Sequence, residues 1–96
     1  MISDAEAREN LARNVNYILG ARGWSQRDLA EAAERPPMSI NHVCRNRRLP
    51  SVTLALAIGE VLGYSIEDLT GPLSPIIVSE KHHAEKRDRK KSLIPA

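Results

Sequence analysis

Residues that end helices recur so often in the first three-quarters of this chain that it is cut into a string of short segments. The stops are Arg22-Gly23, Pro36-Pro37, Pro50, Gly63 and Gly71-Pro72. Between them, apolar residues return every three or four positions, the period of a helix packed on one side. Leu11, Val15, Ile18 and Leu19 form the first such stripe, and Ser3 to Glu6 has capping-box spacing, predicting a helix over residues 4–21. Ser25 offers a cap acceptor to a second helix, whose narrow face of Leu29, Ala30 and Ala33 allows close approach by a neighbour. A third helix starts at Pro37, a tolerated first helical position, buries Ile40, Val43 and Cys44, and ends near Asn46. Val52, Leu54, Ala55, Ile58, Val61 and Leu62 make a fourth helix, closed by Gly63 and expected to be the central core helix. Residues 65–69 read as a one-turn fifth helix. The expected architecture is an all-α, compact five-helix domain over residues 1–71, with a C-terminal extension over residues 72–96.

With 96 residues, the chain can bury only one modest core, which disfavours an enzyme built around a large enclosed cavity. Its 42% hydrophobic content rests on Leu, Ile, Val and Ala with no Phe, a mixture that suits packed helices better than a β-sandwich. One cysteine forms no internal disulfide, and neither a leader nor a membrane-length apolar run is present, so a soluble, cytoplasmic protein with no membrane partner is expected. His82 and His83 are adjacent, a spacing that separates them on a helix face. No Gly-rich phosphate loop or nucleophile motif appears, and no catalytic residue, cofactor or metal is expected.

The formal charge of +2 conceals an asymmetry. Residues 1–71 hold eight bases against nine acids, a net −1, and residues 72–96 hold six against three, a net +3. A nucleic-acid footprint on the folded part therefore requires local clustering, and the tightest cluster is His42, Arg45, Arg47 and Arg48. At about 100° per residue, Ile40, Val43 and Cys44 fall on one side of the third helix, while Met38, His42 and Arg45 fall on the other. Asn41 and Ser39 flank the outward stripe. Asn41 suits a bidentate contact to adenine, Arg45 suits guanine or a phosphate, His42 can donate to a guanine or phosphate oxygen, and Met38 can pack on a thymine methyl. The alternative is an ordinary solvated polar face.

Two short helices joined by a tight turn have the geometry that projects one helix into a DNA major groove. The run Arg22-Gly23-Trp24-Ser25-Gln26-Arg27-Asp28-Leu29-Ala30, then Ser39-Ile40, Val43, Pro50-Ser51 and Leu62-Gly63-Tyr64-Ser65-Ile66-Glu67-Asp68-Leu69, resembles the lambda-repressor/Cro (xenobiotic response element) helix-turn-helix family. The resemblance covers about residues 11–71. It implies a sequence-specific regulator of transcription that binds double-stranded DNA, with the positions of Pro37, Met38 and His42 near base edges and Gln26 on a phosphate. Ser25, Ser39, Arg47 and Arg48 are assigned to further phosphates. The chain departs from the family in the turn, where Glu34, Arg35 and Pro36 replace the usual Gly, aliphatic and Ser/Thr. It also has Leu19 and Cys44 where the family often pairs an Arg with a Glu, which keeps that site neutral. Cys44 reads as core packing rather than as a redox sensor, and Trp24 as a staple of the turn.

In the tail, residues 74–79 contain a β-branched run that could pair as a strand, and residues 80–91 form a charged segment expected to be flexible. Ile66, Leu69, Leu73, Ile76, Ile77 and Val78 are the expected homodimer interface, the alternative being that Ile76 and Val78 fold onto their own core. Lys81, Lys86, Arg87, Arg89, Lys90 and Lys91 either add phosphate contacts or only solubilise the tail. The leading functional expectation is a phage- or plasmid-type repressor that binds a near-palindromic operator as a dimer. The other readings are an antitoxin whose tail binds a toxin, and a protein-interaction adaptor that binds no DNA.

Overall fold

The computed structural model describes the backbone of residues 2–93 and the side chains of residues 2–85. It holds six helices in the order α1 (Asp4–Arg22), α2 (Gln26–Ala33), α3 (Pro37–Cys44), α4 (Val52–Leu62), α5 (Ile66–Leu69) and α6 (Leu73–Leu93). Four of them start in the same way. Ser3, Ser25, Ser51 and Ser65 each accept a hydrogen bond from the backbone N–H three residues on, satisfying one donor that a helix start leaves free. Gly23 (φ 70°) and Gly63 (φ 82°) end α1 and α4 in the left-handed conformation that glycine adopts without strain.

The first five helices fall where the punctuation predicts, but the centre of the core lies elsewhere. α1 packs against α3, α5 and α6, whereas α4 packs against α2 and α5. Leu11, Val15, Ile18 and Leu19 of α1 meet Ile40 and Val43 of α3, Ile58 and Leu62 of α4, Leu69 of α5 and Ile76 of α6 in one cluster. On α4 only one side is buried, and Val52 and Leu56 face solvent.

The tail departs furthest from expectation. Residues 74–79 are helical, not a strand, and the helix continues through the charged segment that was expected to be flexible. Pro75 is compatible because its missing N–H falls within the first turn, where no intrahelical partner exists. Leu73, Ile76, Ile77, Glu80 and Ala84 are spaced as one helical stripe, and all five are buried or half-buried. Two members of the expected dimer interface are thereby used inside the domain: Leu69 and Ile76 are both 1% exposed. Ile66, Leu73 and Ile77 are half-buried, and only Val78 is open, at 68%.

Polar side chains of α1 fasten the chain just before this tail and again at Glu80 within it. The fully buried Asn14 donates through Nδ2 to the carbonyls of Leu69 (2.7 Å) and Gly71 (3.0 Å), closing α5 where its last carbonyls lack helical partners. Asn10 adds a bond to the carbonyl of Thr70 (2.9 Å). Two turns into α6, the Arg22 guanidinium donates from Nε and Nη2 to the two Glu80 oxygens (2.9 and 3.0 Å) and from Nη2 to the Leu62 carbonyl (2.8 Å). Tyr64 donates its hydroxyl to the same carboxylate at 2.6 Å. α6 thus runs alongside α1 in the same sense. A buried acid is tolerated here because every charge-bearing atom has a partner.

Burial pushes the Glu80 carboxyl up, but the hydrogen bonds from Arg22 and Tyr64 outweigh it and hold the group below its ordinary value. A carboxyl depressed on folding contributes stability above its unfolded pKa and loses it as pH falls through the folded one. Stability measured by urea unfolding should therefore drop on acidification below about pH 4.5, near the unfolded value of a glutamate. Glu80→Ala, which strands Arg22, should cost about 3 kcal/mol at neutral pH and flatten that acid limb.

Candidate nucleic-acid interface

α3 is eight residues long, too short to be stable alone, so its orientation is set by what lies behind it. Ile40, Val43 and Cys44 point into the core against α1 and α2. The polar atoms of α1 hold its C-terminal end: Asn16 Nδ2 donates to the Cys44 carbonyl (2.8 Å), and Arg8 Nε donates to Asn46 Oδ1 (3.0 Å). Asn46 has the left-handed conformation (φ 57°) expected of a residue that ends this helix. Burial raises the Cys44 thiol to about 11, which leaves it protonated and consistent with packing.

The face opposite this core carries the residues assigned to DNA. Met38 is 65% exposed, and Pro37 and Arg45 are also open to solvent. Ser39, Asn41 and His42 are half-buried, so the outward stripe is less symmetrical than its helical angles imply. His42 and Ser39 form one wall of a shallow cleft closed by Arg48, Leu49, Pro50, Ser51 and Leu54. Arg47 and Arg48 are exposed on the loop that follows, which places three guanidinium groups beside the C-terminal end of α3.

Gln26 and Asn41, assigned separately to a phosphate and to a base, are joined: Asn41 Nδ2 donates to Gln26 Oε1 at 3.0 Å. The first residue of α2 and the middle of α3 thus form one amide pair. Asn41 keeps its oxygen and a second N–H, and Gln26 keeps its NH₂, for an outside partner. Ser25 is more committed. Its hydroxyl accepts from Asp28 N (3.0 Å) and its N–H goes to the Asp28 carboxylate (2.8 Å), which leaves only the hydroxyl proton for a phosphate. Asn16 and Arg8 were missed in sequence, since both look like ordinary polar positions on the outer side of a helix.

The departures noted in the turn have physical consequences. Glu34 ends α2 at φ 54°, a conformation that costs a residue with a Cβ, and Pro36 precedes α3 with no side-chain cap. Trp24 packs against the core and donates its backbone N–H to the Leu19 carbonyl (2.9 Å), as a staple of the turn should.

A helix-turn-helix family model matches residues 16–69, which span the end of α1 through α5. The chain belongs to the Cro/C1-type helix-turn-helix family. As a member it is a DNA-binding transcription regulator. Among solved structures, it is similar to the clp gene regulator ClgR of Corynebacterium glutamicum, with TM-score 0.60, 26% identity, and coverage of 91% of this chain and 89% of that one. No curated protein matches the chain. Among the described residues, no helix is long and apolar enough to cross a membrane.

Glu34→Gly should raise stability by about 1 kcal/mol, because it removes the Cβ penalty at an exposed site. The denaturation midpoint in urea measures this, and an unchanged or lower midpoint would contradict the strain.

Proposed function

We propose that the protein is a repressor that binds a near-palindromic operator overlapping a promoter, as a homodimer with α3 of each copy in the major groove. The observation that carries this reading is that Met38, Arg45 and the Gln26–Asn41 pair share one outward side while Ile40 and Val43 anchor the other. Pre-linked amides suit base reading, since a side chain already held in place loses less entropy on contact. In this reading Asn41 engages adenine, Arg45 and His42 engage guanine or phosphate, and Met38 with Pro37 packs on thymine methyls. Gln26, Ser39, Arg47 and Arg48, with the hydroxyl proton of Ser25, hold the backbone phosphates. The printed description of ClgR as a gene regulator supports a role in transcription. An antitoxin would need a tail free to wrap a toxin, and the apolar stripe of α6 lies against α1 instead.

Selection of genomic fragments by the purified protein, followed by footprinting, tests the proposal. It should return a near-palindromic site whose affinity falls at least tenfold with Asn41→Ala or with Arg45→Ala, in line with roughly 1–3 kcal/mol for one good base contact. Unchanged affinity in both variants would overturn the assignment of readers. Arg47→Ala and Arg48→Ala should each lower the slope of log affinity against log salt by about 1, as expected for a lost phosphate contact.

A further inference from the structure

We propose that Arg8, on the first helix and outside the helix-turn-helix, holds a phosphate of the DNA backbone through the free fork of its guanidinium. This role presupposes the DNA-binding reading above and adds to it a contact from a third element, α1. Arg8 lies in the second turn of α1, ahead of the matched residues 16–69. Its Nε donates to Asn46 Oδ1 at 3.0 Å, across 38 positions of sequence. Asn46 sits between Arg45 and Arg47 in the chain, so the bond brings a fourth guanidinium to the three already gathered at the end of α3.

The partner that Arg8 takes points to an anion from outside. Asp4 lies four residues before it on the same helix, the spacing at which an acid and a base ordinarily pair. Arg8 reaches an uncharged amide instead, and Asp4 is left to the N-terminal dipole of α1. Among the described residues the one ion pair is Arg22–Glu80, so Arg8, Arg45, Arg47 and Arg48 gather without a neutralising carboxylate. Like charges brought together repel, and an anion bound among them offsets that cost.

The tether leaves the right donors. A guanidinium carries five N–H groups. The bond to Asn46 uses the one on Nε and leaves the Nη1 and Nη2 pair, whose fork matches two oxygens of a phosphate. To fasten α1 to the end of α3 a single N–H is enough, and Asn16 already provides it at the Cys44 carbonyl (2.8 Å). The far end of the tether is itself fixed. Asn46 donates its N–H to the Val43 carbonyl (3.2 Å), and Arg47 donates its own to the His42 carbonyl (3.0 Å). A long side chain held at its inner nitrogen loses less freedom when its outer nitrogens meet a ligand. Arg13 of the same helix is turned elsewhere: its Nη2 donates to Asn10 Oδ1 (2.9 Å), and Asn10 is bound to the Thr70 carbonyl beyond α5.

Titration of a duplex carrying the selected site, at several salt concentrations, tests this with R8Q, N46G and, as comparator, R13Q. R8Q keeps an N–H for Asn46, as many bonds from Cα as Arg Nε, and loses only the charge and the fork; a wild-type thermal melt shows that the fold is kept. R8Q should lower the slope of log affinity against log salt by about 0.9 for each bound copy and weaken binding at least threefold at low salt, as a lost phosphate contact does. R13Q should keep the wild-type slope. N46G suits φ 57° without strain and removes the acceptor, so it should melt no lower than the wild type and still bind at least threefold more weakly. An unchanged slope in R8Q, even with weaker binding, would overturn the proposal, as would an equal loss of slope in R13Q or a wild-type affinity in N46G. If the wild type binds no duplex, the DNA reading and this contact fail together. If it binds with a slope that Arg47→Ala lowers and R8Q does not, the DNA reading stands and this contact fails.

Discussion

The burial of α1 on several sides at once is the constraint on which the rest of the molecule depends. Val15 and Ile18 are fully enclosed, in one cluster with residues of α3, α4, α5 and α6. Each such side chain contributes about 1.5–3 kcal/mol when buried. The polar residues of the same helix add direction to that attraction: Asn14 closes α5, Asn16 and Arg8 hold the end of α3, and Arg22 locks α6 through Glu80. A non-directional core and a few directional bonds, both issuing from one helix, fix where the other elements lie.

The same arrangement explains how a helix of eight residues without a side-chain cap can present a defined surface. Its own propensity supplies little, since Pro36 and Glu34 leave its approach uncapped and strained. Ile40 and Val43 seat it against α1, and the Gln26–Asn41 bond ties its outward side to α2. The rigidity of the outward face is thus tertiary in origin. Leu19 and Cys44, both in the same core, keep it free of an ion pair, which would need every partner in place to repay its desolvation.

Much of this was legible in the sequence because it is written locally. Serine caps, left-handed glycines and the three- and four-residue apolar period act within one turn of the chain, and they locate α1 to α5 and the inward side of α3. The tail was misread because Ile76-Ile77-Val78 carries a local β signal, while the stripe Leu73, Ile76, Ile77, Glu80, Ala84 is helical only if Glu80 counts as buried. Its burial depends on Arg22 and Tyr64, 58 and 16 residues away, and no local pattern announces such partners. The bonds of Asn14 and Asn16 were hidden for the same reason. On α4, the apolar circumference that suggested a central helix belongs in part to surface, with Val52 and Leu56 turned outward.

The central claim is that α1 and α2 hold α3 so that its Met38, Asn41 and Arg45 side meets DNA. Backbone amide shifts of the labelled protein, followed as a duplex containing its selected site is added, test this most directly. The largest changes should fall on residues 25–27 and 37–48, with residues 73–85 of α6 nearly silent. Changes concentrated on α6, with residues 37–48 undisturbed, would contradict the account.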